Sequence, residues 1–116
     1  MELGAVTGLV SFADFLKVDI RSGTIVRVEF HKARRPAYKL WIDFGPLGVK
    51  PSSAQLKALY TPEELMRRHV LAVVNFPRKQ VADFISEVLV LGLPDDKGNV
   101  VLVHPERPVP NGTRLF

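Results

Sequence analysis

Val18-Asp19-Ile20-Arg21-Ser22-Gly23-Thr24-Ile25-Val26-Arg27-Val28-Glu29-Phe30 is the stretch on which the fold turns. Its even positions Val18, Ile20, Thr24, Val26, Val28 and Phe30 are apolar or β-branched, while Asp19, Arg21, Arg27 and Glu29 stand at odd ones. That period of two predicts a strand with one buried face, the even one. Gly23 sits near the centre of this long run, where a missing side chain permits a sharp coil or a bulge. A long first strand bent at a glycine is what a small closed barrel requires.

Upstream, Ser11-Phe12-Ala13-Asp14 has the spacing that caps a helix start, and Phe15-Leu16 continues it for about one amphipathic turn. Downstream, Tyr38 to Phe44 alternates again and predicts a second strand, with Tyr38, Leu40, Ile42 and Phe44 inward and Trp41 outward. Thr61-Pro62-Glu63-Glu64 places a hydroxyl at the N-cap, proline at the first helical position and a carboxylate where it closes a capping box. This predicts a short helix ending near His69, with Leu65 and Met66 on its buried side. Val70 to Val74 and Phe84 to Leu91 are near-continuous apolar runs, read as central strands. Leu93 to Asn99 reads as a turn that returns Val100 to Val103 as an antiparallel partner. The tail from Pro105 to Phe116 reads as extended and docked.

The expected fold class is therefore all-β: an OB-type five-stranded barrel with short helices, with a β-sandwich as the alternative. At 116 residues, 47% of them apolar, the chain reads as a single domain over residues 1–116 with enough apolar content for a core. It has no cysteine, which excludes disulfides, thiolate-held metals and thiol nucleophiles. The first fifteen residues lack the pattern of a secretory leader and no run is long and apolar enough to span a bilayer. A cytoplasmic location without membrane insertion is the expectation.

Catalytic chemistry is thinly represented. His31, His69 and His104 are scattered and form no spaced metal motif, so no metal site is expected. Glu63-Glu64 and Asp95-Asp96 have local explanations as helix-start and turn residues, and Ser52-Ser53 lacks the glycine frame of a nucleophile elbow. No glycine-rich phosphate loop follows a strand. An enzyme is disfavoured and no cofactor is implied.

Binding chemistry is better represented. Lys32, Arg34, Arg35 and Lys39 form an acid-free basic run with Tyr38 interleaved, and a second acid-free stretch from Arg67 ends in Asn75-Phe76-Pro77-Arg78-Lys79. On one side of a barrel the two loops would make a cationic rim with aromatic and amide groups, suited to phosphate contact and base stacking. The net charge of +4 permits an anionic partner without demanding one, and simple solvation of the loops is the competing reading. Trp41 is equally open as a stacking platform, an oligomer contact or a residue covered by the tail. Asn75 and Ser86 can pin loops as readily as bind a ligand.

Several segments are similar to a known family. Phe15 to Ile25, Ala37 to Gly45, Ser52-Ser53-Ala54-Gln55 and Val73-Val74-Asn75-Phe76-Pro77 resemble the bacterial tRNA-binding domain found on methionyl-tRNA synthetases and as free dimers. Ser86-Glu87-Val88-Leu89-Val90-Leu91-Gly92 and Pro108 to Thr113 resemble its branch of CsaA-type secretion chaperones, so that the likeness runs from residue 12 to residue 114. The resemblance implies an OB-fold homodimer without enzymatic activity. It implies binding of unfolded polypeptides and preproteins in cooperation with the Sec translocation machinery, with tRNA binding as the alternative. By motif position, Asn75 and Ser86 would be polar contacts in the groove and Arg78 and Lys79 its cationic edge. Arg34, Arg35 and Lys39 would supply the variable basic loop, and Phe76 and Tyr38 an apolar wall. Phe12, Leu115, Phe116 and Trp41 would lie toward the dimer interface. The chain departs from the tRNA-binding relatives at Glu87, where a carboxylate near the nucleic-acid face would repel phosphate.

Overall fold

The computed structural model describes residues 6–32 and 35–116. Helix α1 (Phe12–Leu16) leads into β1 (Ile20–His31) and β2 (Ala37–Asp43). A single 3-10 turn at Gly45–Leu47 then reaches β3 (Val49–Ala54), and α2 (Pro62–Leu65) precedes β4 (His69–Val73). The strands β5 (Lys79–Val81), β6 (Phe84–Ser86), β7 (Leu89–Val90), β8 (Gly92–Pro94) and β9 (Val100–Leu102) complete the order. Five strands form one antiparallel sheet in the order β3-β2-β1-β4-β7, curled into a half-barrel of OB type, and β5-β6 and β8-β9 are separate hairpins.

β1 makes the curl. Its first part, Ile20 to Thr24, pairs with β4, and from Thr24 onward it pairs with β2. At the handover a Cβ on Gly23 would lie 2.6 Å from Ile42 Cγ2 and 2.8 Å from the Phe44 ring, so only glycine lets the strands close this tightly. A bulge between Ile25 and Arg27 follows. It corrects the simple alternation expected of this strand: Gly23 and Ile25 face the core before it, whereas Val26 is 42% exposed and Val28 packs inward after it. The extra residue changes which parity points inward. Phe30, expected inside, is 61% exposed. The core is assembled from Ile25, Leu40, Ile42, Phe44, Leu56, Leu65 and Val70.

Three other expectations are modified. Helix α2 has the capping box at Thr61 and Glu64, but ends at Leu65 instead of near His69. Arg67 must take φ +65° so that its N–H donates to Ile25 O at 2.8 Å, which turns the chain into β4. β3 was not legible as a strand, because Pro51 and two serines interrupt its apolar content. It is an edge strand, where proline is tolerated. The run from Phe84 to Leu91 is two short strands, broken where the N–H groups of Glu87 and Val88 both donate to Pro51 O, at 2.9 and 3.3 Å. Together with Ser52 Oγ donating to Val88 O at 2.8 Å, these bonds join the two edges of the sheet without a ladder.

The tail docks as expected. Gly112 N donates to Ser22 O, Ser22 N to Thr113 O and Leu115 N to Ile20 O, so residues 110–115 run along the part of the β1 edge that β2 leaves open. Arg21 fastens this strap, pairing with Asp19 at 2.6 Å and donating to Gly112 O at 2.9 Å, and Arg114 Nε lies 3.5 Å from the same carboxylate. The N-terminal helix is capped by Ser11 but buries none of its residues, and Val6, Leu9, Val10, Phe12 and Phe116 are exposed.

Two outcomes are expected. Gly23→Ala should lower stability by about 1–3 kcal/mol through overpacking against Ile42 and Phe44, read as a lower urea midpoint at unchanged slope. An unchanged midpoint would contradict the close approach. The Arg21 hydrogen bond, aided by the charges of Arg21 and Arg114 and opposed by partial burial, holds the Asp19 carboxyl below its ordinary value. Its stabilisation is then full above about pH 4 and is lost as the pH falls below that. Asp19→Asn should flatten the stability profile across that acid limb, as measured by urea midpoints at each pH.

Candidate binding groove

A cavity of about 490 Å³ opens between the β1–β2 loop, the end of β3 and the segment that follows β4. Arg35 and Ala37 line one side, Ser53 and Gln55 its floor, and Phe76-Pro77, Lys79, Val81 and residues 86–89 the other side. Phe76 is 47% exposed, which leaves an aromatic face for a ligand. Local chemistry explains how the wall is built. Asn75 ends β4 by accepting from Asp19 N at 2.9 Å and donating to Lys17 O at 2.7 Å, and Pro77 cannot continue a ladder. The lip that carries Phe76 is thus tied to the α1–β1 junction.

The β5-β6 hairpin forms the rest of the wall and is anchored by its aromatic residue. Phe84 packs edge-on against Trp41 and His31, with ring centres 5.6 and 5.5 Å apart, and Lys39 Nζ lies 5.4 Å from the centre of its ring. Arg27 covers Trp41 at 4.5 Å. Trp41 therefore points out of the core as expected, and in this chain its cover is Arg27 and Phe84. His31 is buried, with Nδ1 3.1 Å from Ser53 Oγ and Nε2 3.5 Å from Asp83. Ser86 Oγ accepts from Ser53 N at 3.0 Å and ties the hairpin to β3.

Arg35, Phe76, Lys79 and Ser86 of the residues expected to bind converge on this cavity. Arg78 stands beside it, with Nη2 3.4 Å from Glu87. Asn75 adjoins it, but both ends of its amide are engaged by backbone. Lys39 is placed over Phe84, outside the lining. Tyr38 is a correction: it is 2% exposed, donates its hydroxyl hydrogen to Tyr60 O at 2.9 Å, and belongs to the core. Burial pushes its phenol up, with Glu63 and Glu64 adding to the rise. Arg34 lies outside the described residues.

Electrostatically the groove is mixed. Among the described residues, Arg35 and Lys79 stand in no ion pair, while Glu87 pairs with Lys50 at 2.6 Å and with Arg78. The Glu87 carboxylate is thus partly neutralised, where the sequence suggested a bare repulsive charge. No group of metal-ligating side chains occurs among the described residues, and no helix among them is long and apolar enough to cross a membrane. Gln55, Val81, Val88, Leu89 and Lys50 were not singled out in the sequence. The bonds of β3 to residues 86–88 bring Gln55 beside Val88 and Leu89 and Lys50 to Glu87, and the β5-β6 hairpin adds Val81.

A family model described as "Putative tRNA binding domain" matches residues 20–114. The chain belongs to the tRNA-binding domain family. Its fold superimposes on the crystal structure of the chaperone CsaA from Bacillus anthracis with a TM-score of 0.89 and 50% identity, covering 94% of this chain and 100% of that one. The CsaA chaperone protein from Picrophilus torridus gives a TM-score of 0.86 and 46% identity, over 93% of this chain and 100% of that one. A methionine–tRNA ligase of Pelodictyon phaeoclathratiforme is 32% identical over 107 residues, covering 92% of this chain. The chain spans 15% of that ligase's length. The OB-type fold and the family membership expected from the sequence are both borne out.

The Asn75 staple makes a prediction of its own. Asn75→Ala should cost about 1–2 kcal/mol for two lost hydrogen bonds. It should also raise amide exchange both at Lys17 to Asp19 and at Phe76, two segments far apart in sequence. Faster exchange confined to one of them would contradict the link.

Proposed function

We propose that the protein is a non-catalytic, cytoplasmic chaperone that holds unfolded, export-bound polypeptides in the groove beside Phe76. The observation that carries this reading is the lining: Phe76, Pro77, Val81 and Leu89 offer apolar contact, and Arg35 and Lys79 add a cationic rim. Such a cleft suits extended segments that alternate apolar side chains with polar backbone. Likeness to the CsaA chaperones of Bacillus anthracis and Picrophilus torridus supports it. Capture by surface contact needs no nucleotide and no cofactor.

The same reading includes a homodimer. Val6, Leu9, Phe12 and Phe116 are more than two thirds exposed on the isolated chain, which favours burial of the N- and C-terminal extensions against a second copy. Two grooves would then raise the avidity for one long client by proximity. Handover to the Sec machinery completes the proposal. A second reading, tRNA binding, is favoured by the family model and by the cations Arg35 and Lys79, which stand in no ion pair among the described residues.

Aggregation of a chemically denatured client, followed by light scattering, tests the first reading. The protein should suppress scattering, and Phe76→Ala should weaken client affinity roughly tenfold, as loss of a central aromatic anchor does. An unaltered scattering curve with the variant would remove the groove from the proposal. Charge reversal at Arg35 and Lys79 should abolish tRNA binding under the second reading, and unchanged affinity would overturn it.

A further inference from the structure

Glu87 is the acidic side chain in the groove wall, and its surroundings give it a definite role. Its carboxylate meets Lys50 of β3 at 2.6 Å and Arg78 of the lip at 3.4 Å. The Glu87 and Lys50 side chains are only 20% and 24% exposed, so solvent screens their attraction less than it would at the surface. One carboxylate thereby engages two cations, one on β3 and one on the lip beside the cavity. Arg35 and Lys79 remain without an ion-pair partner among the described residues.

The carboxylate is not needed to hold the wall. The Glu87 N–H donates to Pro51 O and the Val88 N–H joins it there, while Ser52 Oγ secures Val88 O from the other side. These are backbone and hydroxyl contacts that survive removal of the charge. A polyanion entering the cleft has to compete with Glu87 for Lys50 and Arg78 and accept a negative charge alongside its phosphates. An apolar polypeptide segment resting on Phe76, Val81 and Leu89 faces neither demand.

We propose that Glu87 sets the selectivity of the groove for polypeptide over RNA, by holding Lys50 and Arg78 in ion pairs that a phosphate backbone would have to break. The proposal rests on the groove being the binding site, as argued above. It makes the wall a charge gate: with Glu87 neutral, Arg78 beside the cleft and Lys50 behind its wall would lose their carboxylate and add to the attraction that Arg35 and Lys79 of the lining exert on a polyanion.

The test is a pair of anisotropy titrations on the full chain, one with fluorescent bulk transfer RNA and one with a fluorescent apolar peptide that has no charged side chains. Glu87→Gln, checked for an intact circular dichroism spectrum, should shift the ratio of RNA to peptide affinity toward RNA by at least about tenfold. Two newly available cations should steepen the log–log salt dependence of RNA binding by about 1 to 2. Adding Lys50→Met and Arg78→Ala to Glu87→Gln should remove that gain. An unchanged ratio and salt slope in Glu87→Gln overturns the gate, as does a gain that persists in the triple variant. Failure of the peptide to bind any of these proteins, with the RNA gain present, overturns the chaperone reading and with it the selectivity for polypeptide, and leaves only the weakening of RNA binding by Glu87. Should Glu87→Gln fail to fold, the neutral pair Glu87→Gln with Lys50→Gln leaves no unpaired lysine in the wall and releases Arg78 alone. The salt slope of RNA binding should then steepen by about 1, and an unchanged slope overturns the gate.

Discussion

Gly23 has no side chain, and the space where one would stand is filled by Ile42 and Phe44. That contact lets β1 leave β4 and join β2 within a few residues, so one strand serves both halves of the sheet. The bulge beyond it reverses the parity of the buried face and brings Val28 inward behind Ile25. With a flatter first strand the edges of the sheet would stand apart, and Pro51 could not reach Glu87 and Val88. The groove is a product of that closure, since its floor comes from β3 and one wall from the residues bonded to Pro51.

The site inherits its chemistry from short, local devices laid on this frame. A proline and an asparagine end β4 and raise Phe76 into a lip. A single aromatic residue, Phe84, seats the hairpin by inserting between Trp41 and His31. Each device is weak alone, of the order of one or two hydrogen bonds or one aromatic contact. Their combined effect is a wall fixed to the barrel at several points, with apolar surface facing inward and charge held at its rim.

Much of this was legible in the sequence, and the reasons differ by element. The capping patterns at Ser11 and Thr61 read correctly because a cap is a local hydrogen bond between residues three apart. The glycine in the long first strand announced a coil for a steric reason that needs no knowledge of its neighbours. β3 was missed because its strand character comes from pairing with β2, against the local preference of Pro51 and the two serines. The phase of β1 was misread because a bulge leaves no mark in an alternating pattern. In the site, Arg35, Phe76 and Lys79 were found from charge and aromatic interleaving, while Tyr38 stood in the same run and went to the core. The Lys50 contact was invisible, since it joins residues separated by 37 positions.

The strap from Pro110 to Leu115 has a consequence beyond anchoring the chain end. It occupies hydrogen-bonding groups of Ile20 and Ser22 that β2 does not reach. An uncovered strand edge is a template for any extended chain, and addition there is sequence-blind because it uses only main-chain groups. With residues 110–115 seated there, this stretch of β1 is closed to foreign strands and to the edges of other copies. The molecule meets extended chains on this side with a finished border.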